Sequence, residues 1–142
     1  MTPDPRVSAM RETITAPGAP PAVGPYAHAV RAGGLLFCSG QIPLHPETGE
    51  IAGATAGEQA ERCLRNLEAV CQAVGARLSD AAKLTIYTTD MDSFGEVNAV
   101  YAGFFEHDPP ARVAIGVSRL PREALVEIDA IVVAPAPSGG AE

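Results

Sequence analysis

Residues 112–132, RVAIGVSRLPREALVEIDAIV, decide how this chain folds. From Arg112 to Ser118, Val113, Ile115 and Val117 point one way while Arg112, Ala114, Gly116 and Ser118 point the other, which is the period of two of a β-strand. After a turn around Leu120-Pro121, Val126, Ile128, Ala130 and Val132 form a second apolar set, with Glu127 and Asp129 facing oppositely. A hairpin about Arg119 to Arg122 would join the two strands. The pattern predicts a sheet with one face burying helices and the other showing small and polar groups.

Outward from this stretch, two helices announce themselves. Thr55-Ala56-Gly57-Glu58 has the spacing of a capping box, and Ala60, Cys63, Leu64, Leu67, Val70, Cys71 and Val74 follow as one apolar stripe that stops at Gly75. Ser93-Phe94-Gly95-Glu96 repeats the capping signal, with Phe94, Val97, Tyr101, Phe104 and Phe105 behind it, and Pro109-Pro110 ends that helix. Between them Ala82 to Thr89 alternates as a strand. Upstream, Glu12 to Thr15 reads as a short strand, Ala16 to Pro25 as a proline-bound loop, and Tyr26 to Arg31 and Leu35 to Gly40 as strands turning at Gly33-Gly34. Both parities of Leu35 to Gly40 are mostly apolar, so that strand is expected to be covered on both faces. The expected architecture is α+β: one mixed sheet with two helices on one face. The second face is either solvated or closed by another subunit, and Leu35 to Gly40 favours a subunit.

The 142 residues suit a single domain, with an ordered core over about 12–134 and tails at 1–11 and 135–142. A net charge of −7 and scattered Lys and Arg exclude a basic nucleic-acid face. The longest apolar runs, such as Ala130 to Ala134, are too short to cross a bilayer, and the polar, proline-bearing start has no signal-peptide core, so a cytoplasmic protein is expected. Cys38, Cys63 and Cys71 are odd in number and form no CxxC pair, and His28, His45 and His107 lack ligand spacing, so no metal is expected.

The residues that bear chemistry admit two readings each. In the expected hairpin, Arg112 and Glu127 fall nearly opposite on the polar face. Arginine offers a planar fork for a carboxylate, and a nearby glutamate can position and deprotonate water. Ala114 and Gly116 leave space between them for a small substrate. The plainer alternative is a surface ion pair of little energetic weight. Ser39 and Gly40 end a strand, where the serine either binds ligand or caps a turn. Tyr26 places a phenol over a cleft or serves structurally at a strand start. Asn98 either joins a site or makes a helix-end or interface hydrogen bond.

At these positions the chain resembles the RidA (YjgF/YER057c) family. The resemblance rests on Ala22-Val23-Gly24-Pro25-Tyr26, Ser39-Gly40-Gln41-Ile42-Pro43, Pro46 to Glu50, Val97-Asn98-Ala99-Val100-Tyr101, Phe104-Phe105, Pro110-Ala111-Arg112, Arg119-Leu120-Pro121 and Val126 to Ile131. It implies a chorismate-mutase-like fold, a homotrimer with clefts between subunits, and cofactor-free hydrolysis of 2-imino acids and their enamine tautomers, such as 2-aminoacrylate, to 2-keto acids and ammonia. Carried over, Arg112 would hold the substrate carboxylate and Glu127 would place and activate water. Tyr26 would reach the cleft from a neighbouring subunit, and Ser39, Gly40 and Asn98 would line or support it. Many family members have cysteine where this chain has Ala114, which makes the expected pocket roomier and leaves the preferred imine open. The family also contains aminoacrylate- and aminomuconate-type relatives, and a non-catalytic ligand-binding or protein-holding trimer is the reading from another class. A ribonuclease role, also attached to the family, sits poorly with an acidic chain that lacks a histidine pair.

Overall fold

A computed structural model describes residues 2–135. Six strands form one mixed sheet in the order β1 (Arg11–Ile14), β2 (Ala29–Ala32), β3 (Leu35–Gln41), β6 (Val126–Val133), β4 (Ala81–Thr88) and β5 (Ala111–Gly116). Helices α2 (Ala56–Gln72) and α3 (Phe94–Phe104) pack against each other on one side of this sheet, and a short helix, α1 (Pro5–Met10), precedes β1. The fold is α+β, as expected.

The helix α2 starts where its capping box says it should. Thr55 accepts a hydrogen bond from the Glu58 amide, and Glu58 accepts from the Thr55 amide in return. Its apolar stripe, including Cys63, Leu64, Leu67, Val70 and Cys71, has no exposed surface and lies over Leu36 of β3, Leu84 and Ile86 of β4, and Val126, Ile128 and Val132 of β6. Burial of each large aliphatic side chain contributes about 1.5–3 kcal/mol, so Leu67→Ala alone is expected to cost about 2–5 kcal/mol.

The second capping box does not form. The Ser93 hydroxyl donates to Asp90, which caps the preceding 3-10 turn at Met91–Ser93, and the Glu96 carboxylate instead accepts from the Gly57 amide of α2. Glu96 therefore ties the two helices together rather than closing its own helix. Upstream, residues read as an unstructured tail contain α1, although none of its residues is buried, and β1 begins at Arg11. Of the expected C-terminal tail, residues 136–142 lie outside the described residues.

The larger correction concerns β5 and β6, which are not a hairpin. β5 pairs in parallel with β4 at the sheet edge, and β6 is inserted between β3 and β4, antiparallel to both. Residues 117–125 carry the chain past β4, through a turn at Pro121–Glu123 in which Arg122 and Glu123 both adopt positive φ. Alternation identifies the faces of a strand but not its neighbours. Here β6 pairs along both edges, with β3 and with β4.

The same pairing inverts the expected orientation of β5. Arg112 aligns with Leu84, Ala114 with Ile86 and Gly116 with Thr88, so this row lies on the helix side. Val113 and Ile115 lie on the open face with Tyr87, where Phe37 and Val133 are also found, and these four apolar residues are each 40–46% exposed. The expected cover on the outer side of β3 is therefore missing within one chain. The four residues form two separate pairs, Val113 with Ile115 on β5 and Phe37 with Val133 on β3 and β6, with Thr85, Tyr87, Glu127 and Asp129 between them; exposed apolar groups of this kind suit contact with another protein surface. Among the described residues, no helix is long and apolar enough to cross a membrane.

Candidate functional site

Two groups of polar residues stand out, one on each side of the sheet. The first surrounds a cavity of about 340 Å³ lined by Val23, Tyr26, Ser39, Gly40, Ile42, Pro121 and Glu127. It exists because β3 and β6 slip register between Cys38 and Gln41. An irregularity of this kind bends the strand and re-aims its side chains. The Ser39 hydroxyl donates to the Ala27 carbonyl at 2.6 Å, which ties the bent segment to the chain entering β2. Gly40 then passes directly under the Glu127 carboxylate, and a Cβ at this position would overlap it. Only glycine lets the strand and the carboxylate approach so closely.

Glu127 projects from the open face of β6, half-buried, and no protein group donates a hydrogen bond to it among the described residues. Burial, and secondarily the nearby Asp129 charge, push its carboxyl above the usual glutamate range. A carboxylate raised toward neutrality beside a cavity is suited to exchange protons with water or substrate. Asp129 is differently employed, since it accepts from the Tyr87 hydroxyl at 2.8 Å.

The opposite wall of the cavity is the proline-bound loop at 16–25, held in place by a buried histidine. His28 accepts from the Ala16 amide at 2.8 Å and donates from Nε2 to the Pro20 carbonyl at 2.8 Å. The loop delivers Tyr26, whose hydroxyl accepts from the Val23 amide at 3.3 Å and which stays 46% exposed.

The second group lies on the helix side of β5. Arg112 donates to Asn98 Oδ1 at 2.7 Å, and its guanidinium carbon sits 5.4 Å from the Phe94 ring centre and 4.8 Å from that of Tyr101. Among the described residues it has no carboxylate partner. Ala114 follows on the same side of β5, and Gly116 beyond it is overlain by the Met91 side chain.

Arg112 and Glu127 are thus not cross-strand neighbours. They lie on opposite faces, two strands apart and offset by three residues, which puts their Cα atoms about 14 Å apart by sheet spacing. Tyr26, expected to reach the site from a neighbouring subunit, lines a cavity with Glu127 of its own chain, and Arg112 does not line it.

A profile of the family described as Endoribonuclease L-PSP matches residues 16–134. The chain belongs to the RidA/YjgF family. A RutC family protein of Sinorhizobium fredii is 49% identical over 123 residues, covering 87% of this chain and 98% of that protein. The 2-iminobutanoate/2-iminopropanoate deaminase of Escherichia coli K12 is 42% identical over 127 residues, covering 87% and 98%. The crystal structure of the YjgF gene product from E. coli superposes with a TM-score of 0.81 at 42% identity, over 86% of this chain and 98% of that one.

In this RidA/YjgF chain the residues predicted from sequence divide cleanly. Tyr26, Ser39, Gly40 and Glu127 come together at the cavity, and Asn98, Arg112 and Ala114 come together on the other face. Phe94 and Tyr101, core residues by their helical spacing, also contact Arg112. Their spacing with Asn98, i, i+4 and i+7 on α3, was the available signal. Val23, Ile42 and Pro121 also line the cavity, and each belongs to a family motif, at 22–26, 39–43 and 119–121, that carries no separate signal for lining. Among the described residues, no three His, Cys, Asp or Glu side chains gather as metal ligands.

Proposed function

We propose that this chain hydrolyses 2-imino acids and their enamine tautomers to 2-keto acids and ammonia, at sites completed between subunits of a homotrimer. The observation that carries the reading is the unpaired Arg112 fork on one face and the half-buried Glu127 carboxylate beside its cavity on the other. Each has what the other lacks, and the exposed apolar residues Val113, Ile115, Phe37 and Val133 of the open face supply a surface through which copies can meet. The 2-iminobutanoate/2-iminopropanoate deaminase of E. coli, 42% identical, supports the substrate class.

Arg112 of one copy holds the substrate carboxylate through two parallel N–H bonds. That anchors the C=N carbon over the neighbouring copy's cavity, where Glu127 orients a water and accepts its proton as the oxygen attacks. The proton then passes to nitrogen, the carbinolamine collapses to the ketone, and ammonia leaves. Imine hydrolysis is intrinsically facile, so orientation and one acid–base group suffice. No cofactor takes part in this scheme. Ala114, next on the arginine's row, leaves room beside the carboxylate anchor for a substrate side chain.

The test generates 2-imino acids in situ with an amino acid oxidase and traps the residual imine with semicarbazide. Wild type should lower the trapped imine, and Arg112→Ala and Glu127→Gln should not. If the two inactive variants are unfolded and reassembled together in equal amounts, roughly a quarter of the sites in a closed trimer regain both groups. Recovery of activity on mixing supports a shared site. Wild type inactive on every imine would overturn the activity, and no recovery from properly mixed trimers would overturn the shared site.

A further inference from the structure

We infer that Phe94 and Tyr101 are positioning residues that hold the Arg112 guanidinium ready for an anion; the inference rests on the proposed role of Arg112 as carboxylate anchor. Arg112 stands near the start of an edge strand, largely exposed, in a chain with 17 acidic residues. In that setting an arginine ordinarily either sweeps through solvent or finds a carboxylate. This one does neither. Three side chains from one stripe of α3 converge on it: Phe94, Asn98 and Tyr101, at i, i+4 and i+7.

The division of labour follows from the shape of the group. A guanidinium is flat, with donors around its rim and weakly hydrated faces that aromatic rings accept. Asn98 takes one N–H of Nη1 at 2.7 Å. The two rings, at 5.4 and 4.8 Å, lie within the range in which a cation is drawn to the π-cloud. One hydrogen bond fixes rotation about the long axis, and the rings limit displacement, so donors away from Asn98 stay free for a ligand carboxylate. Ordering a flexible side chain at the moment of binding costs affinity, and the clamp removes that cost in advance.

The Tyr101 hydroxyl is buried with no hydrogen-bond partner among the described residues, and the ring packs at 4.7 Å against Phe105. The ring, not the hydroxyl, is therefore the part in use. Phe94 is the more informative position because it is only half-buried and can change without emptying the core.

The experiment compares wild type, Phe94→Leu, Phe94→Tyr and Tyr101→Phe by steady-state imine hydrolysis and by calorimetric titration with 2-oxobutanoate, a small carboxylate of the product class. Losing a ring contact should raise both KM and the 2-oxobutanoate Kd about fivefold for Phe94→Leu, with kcat within about twofold because the reacting atoms are untouched. Phe94→Tyr and Tyr101→Phe keep a ring and should match wild type in both. Thermal melting of each variant separates this pattern from general damage. Unchanged Kd and KM in a folded Phe94→Leu protein would overturn the clamp, as would a Tyr101→Phe protein that binds as weakly as Phe94→Leu. If wild type hydrolyses no imine but binds 2-oxobutanoate through Arg112, with Phe94→Leu fivefold weaker, the clamp stands and the activity reading fails alone.

Discussion

Replacing Gly40 by alanine should lower catalysis far more than stability. The added methyl would overlap a carboxylate oxygen of Glu127 and approach its Cδ to 3.0 Å and its Cγ to 3.3 Å. All three atoms belong to the end of one flexible side chain, so relief comes from rotating Glu127 away rather than from moving a strand. Such a rotation costs about 0.5–1.5 kcal/mol of rotamer strain. For a domain of this size about 1 kcal/mol lowers Tm by roughly 4 °C. The carboxylate itself must shift by about 1 Å or more to clear the methyl, and a misplacement of that order can lower turnover by about 100-fold. Gly40→Ala should therefore melt within a few degrees of wild type and lose about two orders of magnitude in kcat/KM by the semicarbazide assay. Gly40→Ala combined with Glu127→Asp, which shortens the side chain by one methylene, should fit sterically and test whether the clash is the cause. A Gly40→Ala protein within threefold of wild-type activity would refute the idea that the Glu127 position matters. A collapse in Tm would show Gly40 to be required by the strand instead.

Three further outcomes are expected. Glu127 has a folded carboxyl raised above its unfolded value, so its contribution to stability is unfavourable and grows as pH rises from the unfolded value through the folded one. Glu127→Gln should therefore be more stable than wild type above that window and equal below it, while wild-type activity falls as acid protonates the carboxylate; denaturant melts and rate profiles against pH read the two effects. On the open face, Ile115→Glu puts a charge in place of an exposed apolar side chain and should shift the species seen by light scattering toward monomer, with loss of imine hydrolysis. His28→Ala leaves the Ala16 amide and the Pro20 carbonyl without their partner, which should cost about 1–3 kcal/mol and loosen Tyr26, visible as faster hydrogen exchange in residues 16–26.

What was legible from sequence was local. The capping box at Thr55–Glu58, the apolar stripe of α2 and the parity of β4 all follow from short-range periodicity, and all appear in the fold. The pairing of β5 with β4 does not follow, because alternation is silent on which strand lies beside which. Once β5 moved to the edge its parity inverted too, since Val113 and Ile115 have no helix of their own chain to bury them. The residues of the candidate site were nearly all named from motifs, but their grouping was not. Whether Arg112 faces Glu127 depends on sheet order, a property of pairings 28 or more residues apart in the chain. Phe94 and Tyr101 were hidden by their chemistry, because an aromatic at helical spacing reads as core whether or not a cation rests on it. The second capping signal failed for a similar reason: Glu96 found a better donor in another helix.

The place of β6 in the middle of the sheet has a consequence for the life of the chain during synthesis. Translation runs from the N-terminus, so β1 to β5 emerge from the ribosome before their central member exists. Until Val126–Val133 is released, β3 and β4 have no shared neighbour, each exposing an unpaired edge, and α2 has nothing continuous to lie on. The final strand closes the core. A nascent chain without β6 thus exposes edges that could pair wrongly, and the interval before β6 emerges is when a chaperone at the tunnel exit would matter most.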